Sequence, residues 1–202
     1  IQGETSAYHI IDLVKSFQFL NHASRFVQSK AEKSAKFLFV GTSKASSRLI
    51  KQYAEESSAY YINYRWLGGM LTNWPTIQKR IERLKELTYA LNNKEEFHLS
   101  KKDYNSQKKE MEKLKKLFAG IEDMKKLPDV VIFTSQLKDY LAIEECTKLG
   151  IPCIAISDSN CDPDLVPYPI PGNDDSASAI EFVLKKLSNS IKAGYNKNKK
   201  KA

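Results

Sequence analysis

The sequence predicts an α/β protein with an open, mostly parallel sheet and helices on both faces. Three short apolar runs without alternation, at 37–40, 130–133 and 153–156, are typical of strands that are buried on both faces. Segments of helical period lie between them, and strands that alternate with helices in this way pair in parallel. With 202 residues, the chain is long enough for one such domain, or for one domain with an insertion.

The chain begins with a short apolar segment followed by a helix. Residues 9–11 are interpreted as a strand or a docking segment. The helix is expected to run from its N-cap Asp12 to residues 31–34. One face carries apolar residues at spacings of three and four: Leu13, Phe17, Leu20, Ala23 and Val27.

The first buried strand opens a strand–turn–helix unit. Gly41 makes a sharp turn after this strand, and a helix is predicted over 44–57. The aromatic and β-branched run at 60–63 is the second strand of the sheet. A single glycine at such a turn is explained by structure more often than by a nucleotide.

Residues 75–119 interrupt the alternation and are predicted to form an inserted coiled-coil hairpin. The first helix has a narrow heptad seam, made of Ile77, Ile81, Leu84, Thr88 and Leu91. A second helix, over 104–119, has a similarly narrow stripe, and the outer faces of both are charged. A projecting hairpin is favoured over the alternative of two ordinary sheet-covering helices. The sheet domain then comprises 1–74 and 120–194.

The C-terminal part returns to alternating strands and helices. A helix over 138–149 is expected to stop at Gly150, and the proline-containing run at 168–170 is interpreted as an edge strand. The last helix is expected over 176–193. Residues 195–202 form a basic, low-complexity segment, interpreted as a flexible tail that orders on binding.

Positive charge is concentrated in particular parts of the chain. The formal net charge is +8, but residues 128–184 carry −8, whereas 76–127 carry +5 and 185–202 carry +7. This asymmetry is typical of a protein that turns one face to a polyanion, although a solvated surface explains any single run. Lysine supplies 27 of the 32 basic residues, a bias that adenine-rich codons would produce in an organellar or AT-rich genome.

The cysteines and the first residues bear on the cellular compartment. Cys146, Cys153 and Cys161 form no C-x-x-C pair, so we expect no disulfide framework and no thiolate zinc site, and a reducing compartment fits. No apolar run approaches a membrane span, so no membrane partner is expected. The first residues show neither a signal peptide nor an Arg-rich, Ser-rich transit segment.

A parallel sheet also raises the alternative of a nucleotide-binding enzyme. Ligands of such folds lie beyond the carboxyl ends of the strands. The strand ends at 41–43, 134–136 and 157–160 offer hydroxyls, amides and one aspartate, but no histidine and no nucleophile–base pair. The three histidines are scattered over strand, helix and loop, which disfavours a zinc set. We therefore expect no catalysis, no cofactor and no small-molecule substrate.

Two polar turns carry a set of acidic residues: Asp158, Asp162, Asp164, Asp174 and Asp175. Their oxygens could hold Mg²⁺. Aspartate is also common in turns because it hydrogen-bonds to the local backbone, and this interpretation is favoured. We expect no metal.

The most distinctive stretch is residues 65–74, RWLGGMLTNW, which we call the tryptophan loop. It matches neither G-x-G-x-x-G nor G-x-x-x-x-G-K-[ST], so a phosphate-cradling loop of a nucleotide enzyme is disfavoured. Its glycine pair allows a close approach of the backbone to an anion or to a packed neighbour. Two interpretations remain: a purely structural loop, and a loop that docks on a nucleic-acid backbone. In the second, Arg65 and Asn73 are the polar side chains that make the contact.

Basic residues are the candidates for contact with RNA. Lysine and arginine contacts to phosphates give salt-dependent, largely sequence-independent affinity. No aromatic RNP pattern or GXXG loop is present to splay bases, so we expect docking on the shape and backbone of folded RNA. The candidates are Lys44, Arg48, Arg65, Asn73, Lys79, Arg80, Arg83, Lys197, Lys199, Lys200 and Lys201.

The motifs closely resemble the ribosomal protein S2 family of bacterial and organellar small subunits. The resemblance covers about residues 8–194 in order and spacing, and the R-W-L-G-G-x-L-T-N loop is its most specific part. The motifs are 37–42 (FLFVGT), 65–74 (RWLGGMLTNW), 120–124 (GIEDM), 127–129 (LPD), 150–152 (GIP), 158–163 (DSNCDP) and 170–175 (IPGNDD).

The resemblance implies a flavodoxin-like sheet with a protruding coiled-coil hairpin. It also implies an architectural role in the small ribosomal subunit, with small-subunit ribosomal RNA and neighbouring small-subunit proteins as partners and without catalysis. The family begins with a segment that contains a Gly-His pair, and we expect Ile1 to lie partway into that pattern. The lysine bias and the lack of a transit segment favour a plastid-encoded copy, in the chloroplast stroma, over a protein of the bacterial cytoplasm.

Overall fold

The computed structural model describes residues 3–5, 8–93 and 100–199. The strands are β1 (Gly3–Thr5), β2 (Tyr8–Ile10), β3 (Phe37–Val40), β4 (Tyr60–Ile62), β5 (Val130–Phe133), β6 (Cys153–Ser157) and β7 (Tyr168–Pro171). The helices are α1 (Leu13–Ala31), α2 (Lys44–Glu56), α3 (Trp74–Asn92), α4 (Lys101–Phe118), α5 (Tyr140–Leu149) and α6 (Ala177–Lys199). Two short 3₁₀ helices lie at Ala119–Ile121, directly after α4, and at Pro163–Leu165, between β6 and β7.

Strands β3 to β7 form one sheet in which every neighbouring pair is parallel, in the order β4-β3-β5-β6-β7. Counted within this sheet, the order is 2-1-3-4-5, which is that of flavodoxin-like folds. The strand order reverses between β3 and β5, so the carboxyl ends of these strands flank the crevice of the fold. The predicted α/β class is confirmed. The β1–β2 pair is a separate antiparallel ribbon, and β1 was not predicted.

Two apolar cores lie on the two faces of the sheet. Strand residues alternate between them, with Leu38 and Val40 in one core and Phe37 and Phe39 in the other. Helices α3, α4 and α5 cover the Leu38 face, and α1, α2 and α6 cover the Phe37 face. All four residues of β3 are buried, which explains the continuous apolar run in the sequence. None of the helices within the described ranges is long and apolar enough to cross a membrane.

Helix α1 begins where the sequence predicts, but only part of its apolar face is buried. The Asp12 carboxylate accepts hydrogen bonds from the amides of Val14 and Lys15, as expected of an N-cap. Leu13 and Phe17, at the start of the predicted apolar face, are 76% and 53% exposed. The buried residues are Leu20, Ala23, Ser24, Val27 and Ala31. The first two turns of α1 therefore leave large apolar side chains in solvent.

Helix α6 continues to Lys199, beyond its predicted end at residue 193. Residues 195–199, predicted as part of a flexible tail, are helical, and that prediction is wrong for them; 200–202 lie outside the described residues. The Tyr195 hydroxyl donates to the Ala35 carbonyl oxygen at 2.6 Å. Packing against the sheet domain thus orders turns that their composition alone would leave unfolded.

Helices α3 and α4 contact each other within the predicted hairpin. Arg83 Nε lies 3.2 Å from Glu110 Oε1 across the pair. Helix α4 begins at Lys101, three residues before its predicted start at 104, because Ser100 caps it by accepting from the Asp103 amide at 3.2 Å.

The apolar seam of α3 also packs against the sheet. Ile77, Ile81 and Leu84 of the predicted seam are buried, but Leu87 is buried in place of Thr88. The first three of these belong to the core on the Leu38 face. A projecting coiled coil over 75–119 therefore stays a prediction, as do the domain limits, and residues 94–99 lie outside the described residues.

Candidate nucleic-acid interface

The tryptophan loop is held in place by the carboxylate of Glu145 on α5. Glu145 Oε1 accepts hydrogen bonds from the Trp66 indole at 3.0 Å and from the Gly69 amide at 2.8 Å. Oε2 accepts from the amides of Leu71 and Thr72 at 2.9 and 3.0 Å, and from the Thr72 hydroxyl at 3.1 Å. Five donors of one loop thus converge on a single side chain.

The environment of Glu145 keeps its carboxylate charged. Burial acts to raise the pKa of Glu145, but hydrogen bonds from Thr72, Trp66, Leu71 and Gly69 favour the ionised form and hold the pKa below its ordinary value. A buried carboxylate needs such donors, because its desolvation would otherwise cost several kcal/mol, on the order of the penalty for a buried ion. The loop and the carboxylate therefore stabilise each other.

The sequence of the loop explains its shape. Gly69 has φ +86°, a left-handed conformation in which a side chain would be strained. Trp66, Met70 and Leu71 turn into the core on the Leu38 face. Arg65, like Asn73, remains exposed. The result is a loop with an apolar underside, fixed on α5, and polar groups on its outer surface.

Two further candidates lie at the same edge of the sheet. Helix α2 follows the carboxyl end of β3, and its exposed Lys44 and Arg48 lie in the first two turns. The Ser47 hydroxyl donates to the Asn63 carbonyl oxygen at 2.7 Å, and Asn63 Nδ2 donates to the Ser47 carbonyl oxygen at 3.0 Å. These bonds join the start of α2 to the segment just before Arg65. The structure thus brings three predicted cations to one edge.

The candidates on α3 differ in their availability. Lys79 and Arg80 are exposed and lie in the first half of the helix, close after the tryptophan loop. Arg83 is instead engaged with Glu110 and, at 3.5 Å, with Glu86. Hydrogen bonds to these carboxylates, Glu110 first, raise the pKa of Arg83. Its guanidinium therefore links the helix pair as well as carrying charge.

The candidates on α6 lie at the opposite edge of the sheet. Asn198 donates to Ser34 at 2.5 Å, close before the amino end of β3. Lys197 pairs with Glu32 at 3.1 Å, and Lys199 is exposed beside it. The structure therefore does not bring these lysines together with Arg65, and Lys200 and Lys201 lie outside the described residues.

The turn after β3 is packed where a nucleotide enzyme would need space. A Cβ on Gly41 would lie 2.4 Å from Thr134 Oγ1 and 2.7 Å from Ser46 Oγ. The Ser46 amide is already bonded to the Ser43 hydroxyl oxygen at 3.2 Å. The glycine therefore allows close packing of β3 against its neighbours, and its backbone does not open onto a phosphate.

Beside this turn, Asp139 is almost fully buried just before α5. It is 2% exposed, and its Oδ1 accepts the Thr42 hydroxyl at 2.8 Å. Burial raises the pKa of Asp139 to about 6, against the opposing effect of the hydrogen bonds from Thr42. This carboxyl joins the turn after β3 to the helix that also carries Glu145.

The acidic turns make the local hydrogen bonds that aspartates favour. Asp158 Oδ1 accepts from the Ser159 amide at 2.6 Å, and Asp162 Oδ1 accepts from the Asp164 amide at 3.0 Å. These contacts support the interpretation of both residues as turn formers.

Comparison with known proteins gives the family of the chain. The family described as Ribosomal protein S2 matches residues 1–194. The chain belongs to the ribosomal protein S2 family. The tryptophan loop and the other family-like motifs lie inside the matched range, and the resemblance in the sequence is confirmed.

Individual relatives of the S2 family agree with this assignment. The chain is 50% identical over 194 residues to the "Small ribosomal subunit protein uS2c" of Trieres chinensis, covering 96% of this chain and 85% of the relative. It is 47% identical to the protein of the same name from Phaeodactylum tricornutum, covering 96% and 86%. The "Small ribosomal subunit protein uS2" of Microcystis aeruginosa is 46% identical, covering 92% and 70%.

The relatives are named as proteins of the small ribosomal subunit, and the family is structural, not enzymatic. The expectation that the chain is not an enzyme is therefore confirmed.

Sequence reasoning missed Glu145 and Asp139, because glutamate in a helix and aspartate in a turn are usually solvated. A signal was present for Glu145: it stands three residues after Ala142 and one before Cys146, on the apolar face of its helix.

Proposed function

We infer that this chain is a structural constituent of the small ribosomal subunit, where it docks on folded ribosomal RNA and on neighbouring ribosomal proteins. The small-subunit role follows from the family and from the names of its relatives. The contacts with RNA are assigned here to the edge that carries Lys44, Arg48, Arg65 and Asn73, continued by Lys79 and Arg80 on α3.

The observation that carries this assignment is the preorganised tryptophan loop. Glu145 fixes five donors of the loop, so Arg65 and Asn73 are presented on a backbone that does not have to be ordered on binding. A rigid loop of this kind positions its cation against phosphates, while the neighbouring lysine and arginine residues add sequence-independent attraction.

The relatives also indicate the compartment. The uS2c proteins of the algae Trieres chinensis and Phaeodactylum tricornutum support a plastid form, located in the small ribosomal subunit of the stroma. The uS2 proteins of cyanobacteria are consistent with the alternative, a bacterial cytoplasm. The lysine-rich composition agrees with the plastid assignment.

Co-sedimentation tests the role in the particle. Small subunits that lack this protein are mixed with the purified full chain at low salt and separated on a gradient. We expect the chain to move with the subunits and to be released at high salt, because phosphate contacts weaken steeply with ionic strength. A chain that stays at the top of the gradient at low salt would refute the assignment.

A further inference from the structure

A crevice of about 440 Å³ opens between the tryptophan loop and the N-terminus of α5. Thr42, Arg65 and Asp139 are among its lining residues, so it lies beyond the carboxyl ends of β3, β4 and β5. Ligands of flavodoxin-like folds bind at this edge, where the strand order reverses. Its volume is within the range of small-ligand sites.

The walls of the crevice combine apolar surface with positive charge. Tyr64 and Leu141 line it and are 59% and 60% exposed. Arg65 stands next to Tyr64 and takes part in none of the ion pairs among the described residues. Lys138 also lines the crevice and is held by Asp175 at 2.5 Å. An exposed aromatic ring beside an unpaired guanidinium suits an RNA base stacked on the ring, with its phosphate at the cation.

A second observation points to a ligand that donates a hydrogen bond. Thr42 occupies Oδ1 of Asp139, but the buried Oδ2 has no hydrogen-bond partner among the described residues. Buried carboxylate oxygens are normally paired. Asp139 lines the crevice, so a small rotation of its carboxyl group toward an N–H group delivered there would supply the missing donor. Adenine, cytosine and guanine carry an exocyclic amine that can do this. Uracil has only its ring N3–H, which is flanked by two carbonyl oxygens that a carboxylate repels.

We propose that this crevice binds one unpaired, amine-bearing nucleotide of the RNA on which the protein docks. The base lies between Tyr64 and Leu141, its phosphate meets Arg65, and its amine is directed to Asp139. The proposal rests on the proposed function and adds a base contact to docking on the backbone. The sequence shows no base-binding motif because the two walls come from distant segments, one after β4 and one on α5.

Fluorescence anisotropy of labelled RNA hairpins tests the proposal with the full chain at low salt. Three hairpins of equal length are compared: one with a single bulged adenosine, one with a bulged uridine and one fully paired. We expect the bulged adenosine hairpin to bind about tenfold more tightly than the paired one, as one base stacked on an aromatic ring allows. The bulged uridine hairpin should bind several-fold more weakly than the adenosine one.

Substitutions assign the preference to the crevice. Tyr64→Ala should abolish the preference for the bulged adenosine, and Tyr64→Phe should retain it, because the ring is kept. Tyr89→Ala is the matched control, since Tyr89 is 57% exposed but lies on α3 outside the crevice lining.

The outcomes separate the two proposals. Equal affinity for the adenosine and paired hairpins, equal affinity for the adenosine and uridine hairpins, or a preference that survives Tyr64→Ala would overturn the nucleotide site while leaving RNA docking intact. Failure to bind any of the three hairpins at low salt would instead count against the proposed function itself.

Discussion

Glu145 Oε1 on α5 accepts the indole N–H of Trp66 at 3.0 Å, and this bond ties the tryptophan loop to a helix 79 residues away in the sequence. The same carboxylate takes four further hydrogen bonds from the loop. A loop with two glycines would otherwise be free to adopt many conformations. The position of Arg65 at the surface therefore depends on one buried charge.

Glu145→Gln should destabilise the fold by about 3 kcal/mol, on the order of the cost of leaving buried donors and acceptors mismatched. The amide keeps one acceptor but places an NH₂ group where the Leu71 and Thr72 amides now donate. Urea unfolding measures the loss, and Glu144→Gln, which removes the same charge at a half-buried neighbouring position, is the control. Equal effects of the two substitutions would show that the loop does not depend on Glu145.

The buried Asp139 should give the stability a measurable pH dependence. Its pKa is raised from 3.8 to about 6, so the folded state retains a proton that the unfolded state has released. Stability contributed by this group is therefore present below pH 3.8 and is lost as pH rises to about 6.

Asp139→Asn removes that titration. The stability of the variant relative to the wild type should rise between pH 4 and pH 7, by at most about 3 kcal/mol. Chemical unfolding at both pH values measures the difference, and Asp164→Asn, at an exposed position, should show little of it. A relative stability that does not change with pH would mean that Asp139 is not protonated in the folded chain.

Much of the sheet domain was predictable because burial on both faces leaves a direct trace in the sequence. Strands β3, β5 and β6 are continuous apolar runs, and no surface residue interrupts them. The tryptophan loop was recognisable from its amino-acid sequence. Its anchor Glu145 was missed: its place on the apolar face of α5 was a signal, but the sequence does not show that the hydrogen-bond donors of a distant loop meet it there.

The errors at the helices also have physical causes. A regular apolar period does not show where a helix leaves the core, so it did not distinguish the exposed Leu13 and Phe17 from the buried residues of the same face. Conversely, the end of α6 is polar and contains Gly194, which by composition ends a helix. The structure uses that glycine for a close contact with α1, a tertiary effect that local preference does not contain.

Gly194→Ala should destabilise the protein although alanine is the better helix former. Replacing glycine inside a helix usually gains up to about 1 kcal/mol. Here the new Cβ would lie 2.5 Å from the Ala31 Cβ and 2.6 Å from the Gln28 carbonyl oxygen, and such overpacking costs about 1–3 kcal/mol. We therefore expect thermal unfolding to show that Gly194→Ala is less stable than the wild type.

Gly68→Ala is the control: nothing lies within 4 Å of the new Cβ there, so its stability should be nearly unchanged. A more stable Gly194→Ala variant would mean that α6 does not pack tightly on α1.

Arg65→Ala should weaken assembly into small subunits more than Lys109→Ala does, although each substitution removes one exposed positive charge. Arg65 lies on the loop that Glu145 fixes, so its guanidinium can meet a phosphate without first being ordered. Lys109 lies on a solvated face of α4 and contributes only to the overall field. Quantitative co-sedimentation at several salt concentrations should show a lower affinity and a shallower salt dependence for Arg65→Ala, with the Lys109→Ala curve close to wild type. If the two curves coincide, net charge rather than the position of Arg65 governs the docking.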